Sequence, residues 1–299
     1  MKCIVSSTIL QISHVTMPKI EELSIDIYLH IAPFLNGPSG LFEFAITSKH
    51  FWSAVNEAAH QLMVKVSTAE ERACLPRRDG DSWIGIYHEF LNLRKPLRFD
   101  QLIGSDLQHS DCFRFVQSPT CVHEVQNGCV ISNHVMRAGK HYVSFDRVGN
   151  CDLFNGLLSV GVIRPTRLDN RGLSGFVPWD DEYKWYPELA KERTEKWGNG
   201  NVDYCVYCSN VGACYFGHYS NPDPNEEDET ILEWEGMERC IWTDNNMGLL
   251  LDLDNGTLSV FRNNKRLGVM KEGLTGEYCW MVMLRCCGIG IKRAAIPDV

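Results

Sequence analysis

The sequence lacks the features that define several large classes of protein. No run of apolar residues reaches the length of about 18 that a membrane-spanning helix requires. Basic residues are not in excess, since 29 lysines and arginines face 38 aspartates and glutamates, which gives a net charge of −9. Nucleic-acid recognition needs a basic face, and the composition of this chain does not indicate one. We therefore expect neither a membrane nor a nucleic acid as a partner.

A disulfide framework is also missing, although the chain holds 13 cysteines. Their number is odd and their spacing irregular, which predicts free buried thiols and a reducing compartment, cytoplasmic or nuclear. Cys205 and Cys208 form a Cys-x-x-Cys within a predicted strand. Residues three apart in a strand point to opposite faces, roughly 10 Å from each other, so this pair is predicted to lie in the core rather than to bind a metal.

Recognisable catalytic and metal-binding motifs are scarce. Asp252 and Asp254 begin a segment like a calcium loop, but it lacks the third acidic position and the glutamate at position twelve. No glycine-rich phosphate loop of the Walker type occurs, and no recognisable turn sets a cysteine or serine beside a histidine base. The sequence therefore predicts no catalytic residue, no metal and no cofactor, and a protein that is not an enzyme.

What is present most clearly is a three-stranded meander at residues 247–270, MGLLLDLDNGTLSVFRNNKRLGVM. A two-residue turn at Asn255-Gly256 would pair Leu253 with Leu258 and Leu251 with Val260 on one apolar face. A second two-residue turn at residues 263–264 would pair Val260 with Leu267 and Leu258 with Val269. The pattern predicts an antiparallel sheet with one apolar face running through all three strands.

The chain divides into five parts by pattern. Residues 1–16 are expected to be a disordered leader or an over-extended gene model, and residues 294–299 a tail. Apolar residues recur at helical spacing over residues 17–63, and residues 64–111 form a connector with a predicted helix around Trp83 and Phe90. From residue 112 to residue 293, short β-rich runs separated by turn residues predict an antiparallel β-sandwich or barrel. Residues 180–196 are predicted to include a surface helix. Residues 221–235 are predicted to be an exposed acidic loop, at least over their first half.

Two parts resemble known families. One interpretation of residues 17–63 is a helical hairpin that packs on itself or on a neighbouring domain. At Leu23-Ser24, Phe34-Leu35 and residues 46–52 the segment also resembles an F-box. It departs from that family at Ser24 and Ser48, where the family has proline and cysteine. Residues 112–293 resemble a SPRY domain at AGKHY (138–142), SVGV (159–162), Trp242, residues 247–268 and residues 278–284. Departures are Val143 for a tryptophan and Asn264 for a glycine. The resemblance implies a SPRY-like antiparallel sandwich preceded by an F-box-like helical segment.

The SPRY resemblance implies binding of a short peptide or a partner protein through loops at one edge of the sandwich. We expect those contacts in residues that follow two strands, namely Arg164, Pro165, Arg167, Trp179 and Arg285. The F-box resemblance implies that an apolar stripe docks the adaptor of an SCF-type cullin-RING ubiquitin ligase, through Leu23, Ile27, Ile31, Phe34 and Leu35.

Two functions follow from these resemblances. In the first, the chain is a protein-recognition module that serves as a ligase substrate receptor, with the sandwich holding the target. In the second, it is a stand-alone binding or scaffold protein with no ligase role.

Overall fold

The computed structural model describes residues 27, 40, 42–43, 49–76, 81–104, 107–109, 115–117, 128–148, 158–168, 186–198, 202–209, 211–217, 230–232, 234–237, 246–284 and 288–297. The chain divides into two compact units, one of Met1–Ser67 with Gly80–His88 and one of Thr68–Asp79 with Glu89–Val299. The helices that the structure describes over their whole length are α1 (Lys49–Val66), α2 (Ala69–Ala73), α3 (Trp83–Arg94) and α4 (Tyr186–Lys191), with a 3₁₀ turn at Glu195–Trp197. None of these helices is both long and apolar enough to cross a membrane.

The first unit is organised by α1, which buries Val55, Ala59 and Met63 along one stripe. This stripe follows the spacing of three to four residues that brings helical side chains onto one face. The ring of His60 stacks on Trp83 at a centroid distance of 3.9 Å, and the Ile84 backbone N–H donates to the side chain of Asn56. The start of α3 therefore packs against α1, and the helical spacing predicted for this region is confirmed.

The second unit holds two antiparallel sheets of seven strands each. The first sheet has the order β1-β4-β13-β6-β7-β8-β9, and the second has the order β12-β11-β10-β5-β14-β3-β2. The strands are β1 (Phe99–Ile103), β2 (Gln108–His109), β3 (Phe115–Gln117), β4 (Gly128–Ser132), β5 (Lys140–Val148), β6 (Leu158–Ile163), β7 (Tyr204–Cys208), β8 (Cys214–Gly217), β9 (Thr230–Leu232), β10 (Met247–Asp252), β11 (Thr257–Arg262), β12 (Lys265–Lys271), β13 (Cys279–Leu284) and β14 (Gly288–Arg293). The predicted antiparallel β-sandwich, preceded by helices, is confirmed. The segment predicted as a connector supplies β1 and β2 to it.

The main core lies between the sheets and includes Val143, Val160, Leu249, Trp280 and Ile291. A second apolar cluster covers the outer face of the first sheet. There Leu189 of α4 and Trp197 of the 3₁₀ turn are both buried. The helix predicted at residues 180–196 is present at its centre, and its apolar residues cover the sheet.

The first two strands of the meander keep their predicted faces but not their predicted register. Asp252 accepts hydrogen bonds from the backbone N–H groups of Asp254 and Asn255 and from the Asn255 side chain, which widens the turn to residues 253–256. Leu251 therefore pairs with Leu258, not Val260. A shift of two residues leaves every side chain on its original face, because side chains alternate with period two.

The second turn is at Asn263 and Asn264, as predicted, with φ angles of 49° and 62°. Two register irregularities follow in β12, so that Val260 pairs with Gly268 and Leu258 with Lys271. Met270, rather than Val269, therefore joins the core. The predicted pairings of Leu267 and Val269 are wrong for this reason, since bulges are local features that alternation does not reveal.

Candidate partner-binding end of the sandwich

One end of the sandwich collects the loops that carry charged side chains, and we call it the upper end. There β4, β6, β10 and β14 finish while β5 and β13 begin, which brings together Ser132, Lys140, Ile163, Asp252, Cys279 and Arg293. The isolated bridge between Met136 and Tyr278 links the two loops that cross this end.

The strands β6 and β13 are neighbours and run antiparallel. Ile163 pairs with Cys279, whereas Leu158 pairs with Leu284 at the other end. The last residues of β6 and β13 therefore lie at opposite ends of the sandwich, roughly 17–20 Å apart for strands of this length. Partner binding by the residues that follow these two strands stays a prediction. Trp179 and Arg285 themselves lie outside the described residues.

Arg164 was expected on the surface, but its side chain is completely buried. Its Nη1 donates to the backbone oxygens of Thr275 and Glu277 at 2.6 and 3.2 Å, and its Nε lies 3.4 Å from the carboxylate of Asp203. The guanidinium also lies 4.2 Å from the ring centroid of Tyr278. Arg164 therefore holds three loops together and cannot touch a partner, which corrects the prediction for this residue.

Hydrogen bonds from a side chain of β1 fix the rest of the loop after β6. The side chain of Gln101 donates to the Thr166 carbonyl at 2.6 Å and accepts from the Leu168 N–H at 3.0 Å. Pro165 is half-buried and Arg167 is exposed. Arg167 is thus a surface cation on a fixed loop, and its role in partner binding stays a prediction.

A second arginine, Arg137, ties α3 to the upper end. It forms ion pairs with Glu89 of α3 and with Glu277, whose side chain is 5% exposed. Burial acts to lower the pKa of Arg137, but the hydrogen bond to Glu277 and the charge of Glu89 outweigh it and raise the pKa. The pairing fixes the loop between β4 and β5 against the helix.

A cavity of about 410 Å³ opens at the same end. Its walls come from α2, α3, the loop before β5, the start of β13 and the end of β14, all in the second unit. Phe90 and Trp280 are buried apolar walls, while Arg293 and Ile296 are exposed at the mouth. The volume falls within the range of about 300–1,000 Å³ that ligand pockets occupy.

Two histidines in this cavity are held neutral. Burial, followed by the charge of Arg293, lowers the pKa of His134 to about 3. Burial also lowers the pKa of His141 to about 4, although its Nε2–H donates to the Ala138 carbonyl at 2.8 Å. The Nη2 of Arg293 lies 2.5 Å from Nε2 of His134, which accepts its proton only when the ring is uncharged.

Sequence reasoning did not identify Arg137, His134 or Arg293 as functional. They come from the loop before β5 and from the end of β14, far apart in the chain, and none sits in a motif of its own. His141 and Lys140 lie within the AGKHY segment that carried the family resemblance. That segment was the only signal that pointed toward the cavity.

The two cysteines of the Cys-x-x-Cys, Cys205 and Cys208, are buried in strand β7. Cys205 lies in the core between the sheets, and its strand neighbours Tyr204 and Val206 face the opposite cluster, so strand alternation confirms that Cys205 and Cys208 point apart. The sulfur of Cys205 instead lies 3.6 Å from that of Cys214, and burial raises the Cys205 pKa. Among the residues that the structure describes, no group of three His, Cys, Asp or Glu side chains could hold a metal ion.

In the F-box-like segment, the structure describes Ile27 alone of the predicted adaptor-binding residues. Ile27 lies in a helical position and is 40% exposed. Leu23, Ile31, Phe34 and Leu35 lie outside the described residues. In the same unit, Phe42 and Trp52 are 49% and 37% exposed and contact each other edge to face.

No protein-family model and no curated protein matches this sequence. Solved structures do match the sandwich. The SPRY domain of human HERC1 is 15% identical with a TM-score of 0.43, over 67% of this chain and 98% of that domain. The PSpry domain of TRIM65 is 14% identical with a TM-score of 0.39, over 67% and 90%. The NHR1 domain of Neuralized from Drosophila melanogaster is 18% identical with a TM-score of 0.34, over 65% and 96%. The similarity is one of fold, a SPRY- or NHR-like β-sandwich.

Proposed function

We propose that this chain is a protein-recognition module whose β-sandwich binds a partner protein or peptide at its upper end, in the cytoplasm or nucleus. The observation that carries the proposal is a set of loops that ion pairs and hydrogen bonds fix at the same end as an open cavity. Arg164 and Gln101 hold the loop after β6, and Arg137 holds the loop before β5. Loops held by a rigid scaffold suit recognition, because little conformational entropy is lost when a partner binds.

The proposal assigns the chain a binding role and no catalytic step of its own. Cys74, the thiol in the cavity wall, donates a hydrogen bond to the Lys140 carbonyl, and burial raises its pKa. A thiol in that state is a poor nucleophile, since the thiolate is the reactive form. The chemistry of the cavity therefore favours binding over catalysis.

Affinity capture with the full-length chain tests the proposal. We expect Arg167→Glu, an exposed change at the upper end, to weaken capture of a specific set of proteins identified by mass spectrometry. Arg266→Glu is the matched control, because Arg266 is exposed on β12 close to the turn at the opposite end. Equal losses in both variants, or no specific capture by the wild type, would contradict binding at the upper end.

We further propose that the helical unit docks the adaptor of an SCF-type ubiquitin ligase, which makes the chain a substrate receptor. The exposed apolar side chains of Ile27, Phe42 and Trp52 support this reading, since such side chains are the usual anchors of a helix-in-groove contact. The alternative is a stand-alone binding protein in which these residues have no partner of this kind.

Co-purification of the full chain with the adaptor separates the two. We expect Ile27→Glu combined with Trp52→Glu to abolish co-purification, while Val64→Glu, at another exposed apolar position of α1, leaves it unchanged. If the wild-type chain fails to retain the adaptor, the ligase role is lost and the stand-alone binding role stands.

A further inference from the structure

We propose that the cavity at the upper end binds an acidic side chain of a partner protein next to an apolar one, with Arg293 as the residue that holds the carboxylate. This inference rests on the proposed function, because it names the chemistry of the partner that the module would recognise. The cavity lies beside the loop after β6, and no described residue of that loop lines it.

Arg293 forms no direct ion pair with a carboxylate that the structure describes. Its guanidinium contacts the ring of His134, and no described carboxylate lies within 4.0 Å of it. Glu70 and Glu71 line the same cavity, and Glu71, whose charge acts on Arg293, is already engaged. Both of its oxygens accept from Arg94, at 2.8 and 2.9 Å, and one also accepts from the Thr68 N–H.

Apart from Glu70 and Glu71, the titratable groups that line the cavity supply no negative charge. His134 and His141 are neutral, and the thiol of Cys74 stays protonated because burial raises its pKa. Lys140 is a second cation of the wall, but it forms an ion pair with Asp252 at 3.2 Å. Burial also lowers the pKa of Arg293 itself, and the charge of Glu71 offsets this only in part.

A carboxylate of the ligand would give Arg293 the direct ion pair that it lacks among the described residues. Guanidinium and carboxylate groups match geometrically and form paired, charge-assisted hydrogen bonds. Arg293 remains exposed enough for a ligand to reach it. Glu70 and Glu71 lie on the wall as well, so a doubly charged phosphate would meet two carboxylates there, and a single carboxylate fits the local charge better.

The apolar part of the wall defines the neighbouring side chain of the ligand. Phe90 and Trp280 are almost fully buried, and Leu93 and Ile296 complete the surface. A leucine- or phenylalanine-sized group would bury its surface against them, while a polar side chain would find few hydrogen-bonding partners. The cavity thus fits an acidic residue followed or preceded by a large apolar residue.

An array of short peptides with acetylated and amidated termini tests this inference with the full-length protein. The peptides form matched sets: glutamate beside leucine or phenylalanine, the same sequences with glutamine in place of glutamate, and the same sequences with serine in place of the apolar residue. The blocked termini remove the main-chain carboxylate as a source of the signal. We expect the first set to bind and either replacement to weaken binding about 10- to 100-fold.

The protein variants complete the test. Arg293→Gln should reduce binding of the first set to the level of the glutamine set, whereas Lys292→Gln should not. Lys292 is the matched control, since it precedes Arg293 on the same strand, points to the opposite face and pairs with Asp146. Thermal unfolding of both variants checks that each is folded, and Arg293→Lys should recover part of the binding.

Three results would overturn the inference. Peptides that bind without preference for glutamate would refute the carboxylate pocket while leaving protein recognition intact. Equal losses in Arg293→Gln and Lys292→Gln would indicate a general charge effect. Absence of any peptide binding to a chain that still captures specific proteins would place recognition elsewhere than in the cavity.

Discussion

Arg164 and Arg293 lie at the same end of the sandwich and differ in how their charge is met. Arg164 is completely buried, and two backbone oxygens, the carboxylate of Asp203 and the ring of Tyr278 surround it. Arg293 lines an open cavity, where a neutral histidine is its contact. A buried arginine with several partners therefore stabilises the scaffold, whereas a cation without a direct described counterion is available to a ligand.

The largest expected effect is on Arg164. Arg164→Met should lower the free energy of unfolding by about 3–5 kcal/mol, because it leaves the buried carboxylate of Asp203 without a cation. Urea denaturation of the purified chain measures the loss. Arg167→Met, three residues further on and exposed, is the control and should change stability by less than about 0.5 kcal/mol.

A double variant tests whether the ion pair with Asp203 accounts for the loss of stability in Arg164→Met. Arg164→Met combined with Asp203→Leu removes both charges and should recover part of the lost stability. If the double variant is no more stable than Arg164→Met alone, the ion pair is not the source of the effect.

The next effect is a loss of stability in acid that arises in the Arg293 cavity. The pKa values of His134 and His141 are lowered to about 3 and about 4, so the unfolded chain binds protons first as the pH falls. This contribution to stability is therefore complete above about pH 6.5 and is lost as the pH falls toward the folded values. At pH 5 each histidine should cost about 2 kcal/mol relative to pH 7.

Denaturation curves between pH 7 and pH 5 measure this loss. The charges that face His134 are those of Arg293 and Lys95, with His141 beside it, whereas His141 also faces Asp254. His134→Gln combined with His141→Gln should flatten the pH dependence. Arg293→Gln should reduce it, since the charge of Arg293 opposes protonation of both rings. An unchanged slope in the double histidine variant would contradict the assignment.

An intermediate effect is expected for Arg137. Arg137→Gln should lower the free energy of unfolding by about 1–3 kcal/mol, because Glu277 is nearly buried and loses its charged partner. Arg98→Gln is the control, since its ion pair with Asp100 joins two side chains that are each about half exposed. Exposed pairs contribute only about 0–1 kcal/mol. Equal losses would mean that burial does not set the strength of these pairs.

The smallest effect on stability should come from Arg293. Arg293→Gln removes a cation with no described counterion, so the free energy of unfolding at pH 7 should change by less than about 0.5 kcal/mol, or rise. Denaturation and peptide binding are measured on the same preparation, because the comparison predicts lost binding without lost stability. A loss above about 2 kcal/mol would show that Arg293 is part of the scaffold and would remove the contrast with Arg164.

Much of the fold could be predicted because local rules act within a few residues. Alternation of apolar side chains placed Leu249, Leu251, Leu258 and Val260 on one face, and the faces survived an error of two residues in the register. That error came from Asp252, whose side chain bonds the turn and lengthens it. Side-chain hydrogen bonds compete with backbone turn rules, and residue order alone does not reveal which of them forms.

The candidate site was harder to predict because it is assembled from distant segments. Arg164 follows a strand and precedes a proline, which reads as an exposed loop, yet Asp203 and the carbonyl of Thr275 enclose it. The antiparallel pairing of β6 with β13 likewise places Cys279 beside Ile163, at the end of the strand that Arg164 follows. In both cases the neighbours that set the environment of Arg164 are far away in the chain.

Side-chain alternation and turn preferences are properties of adjacent residues, so the antiparallel β-sandwich, the faces of β10 and β11 and the Asn263-Asn264 turn could be predicted from residue order. Which arginine is enclosed and which is left open could not be predicted in this way. That choice depends on the carbonyls, carboxylates and rings that other strands bring to the upper end, and long-range packing sets their positions. Arg164 therefore became part of the scaffold, and Arg293, near the end of the chain, became the candidate contact for a partner.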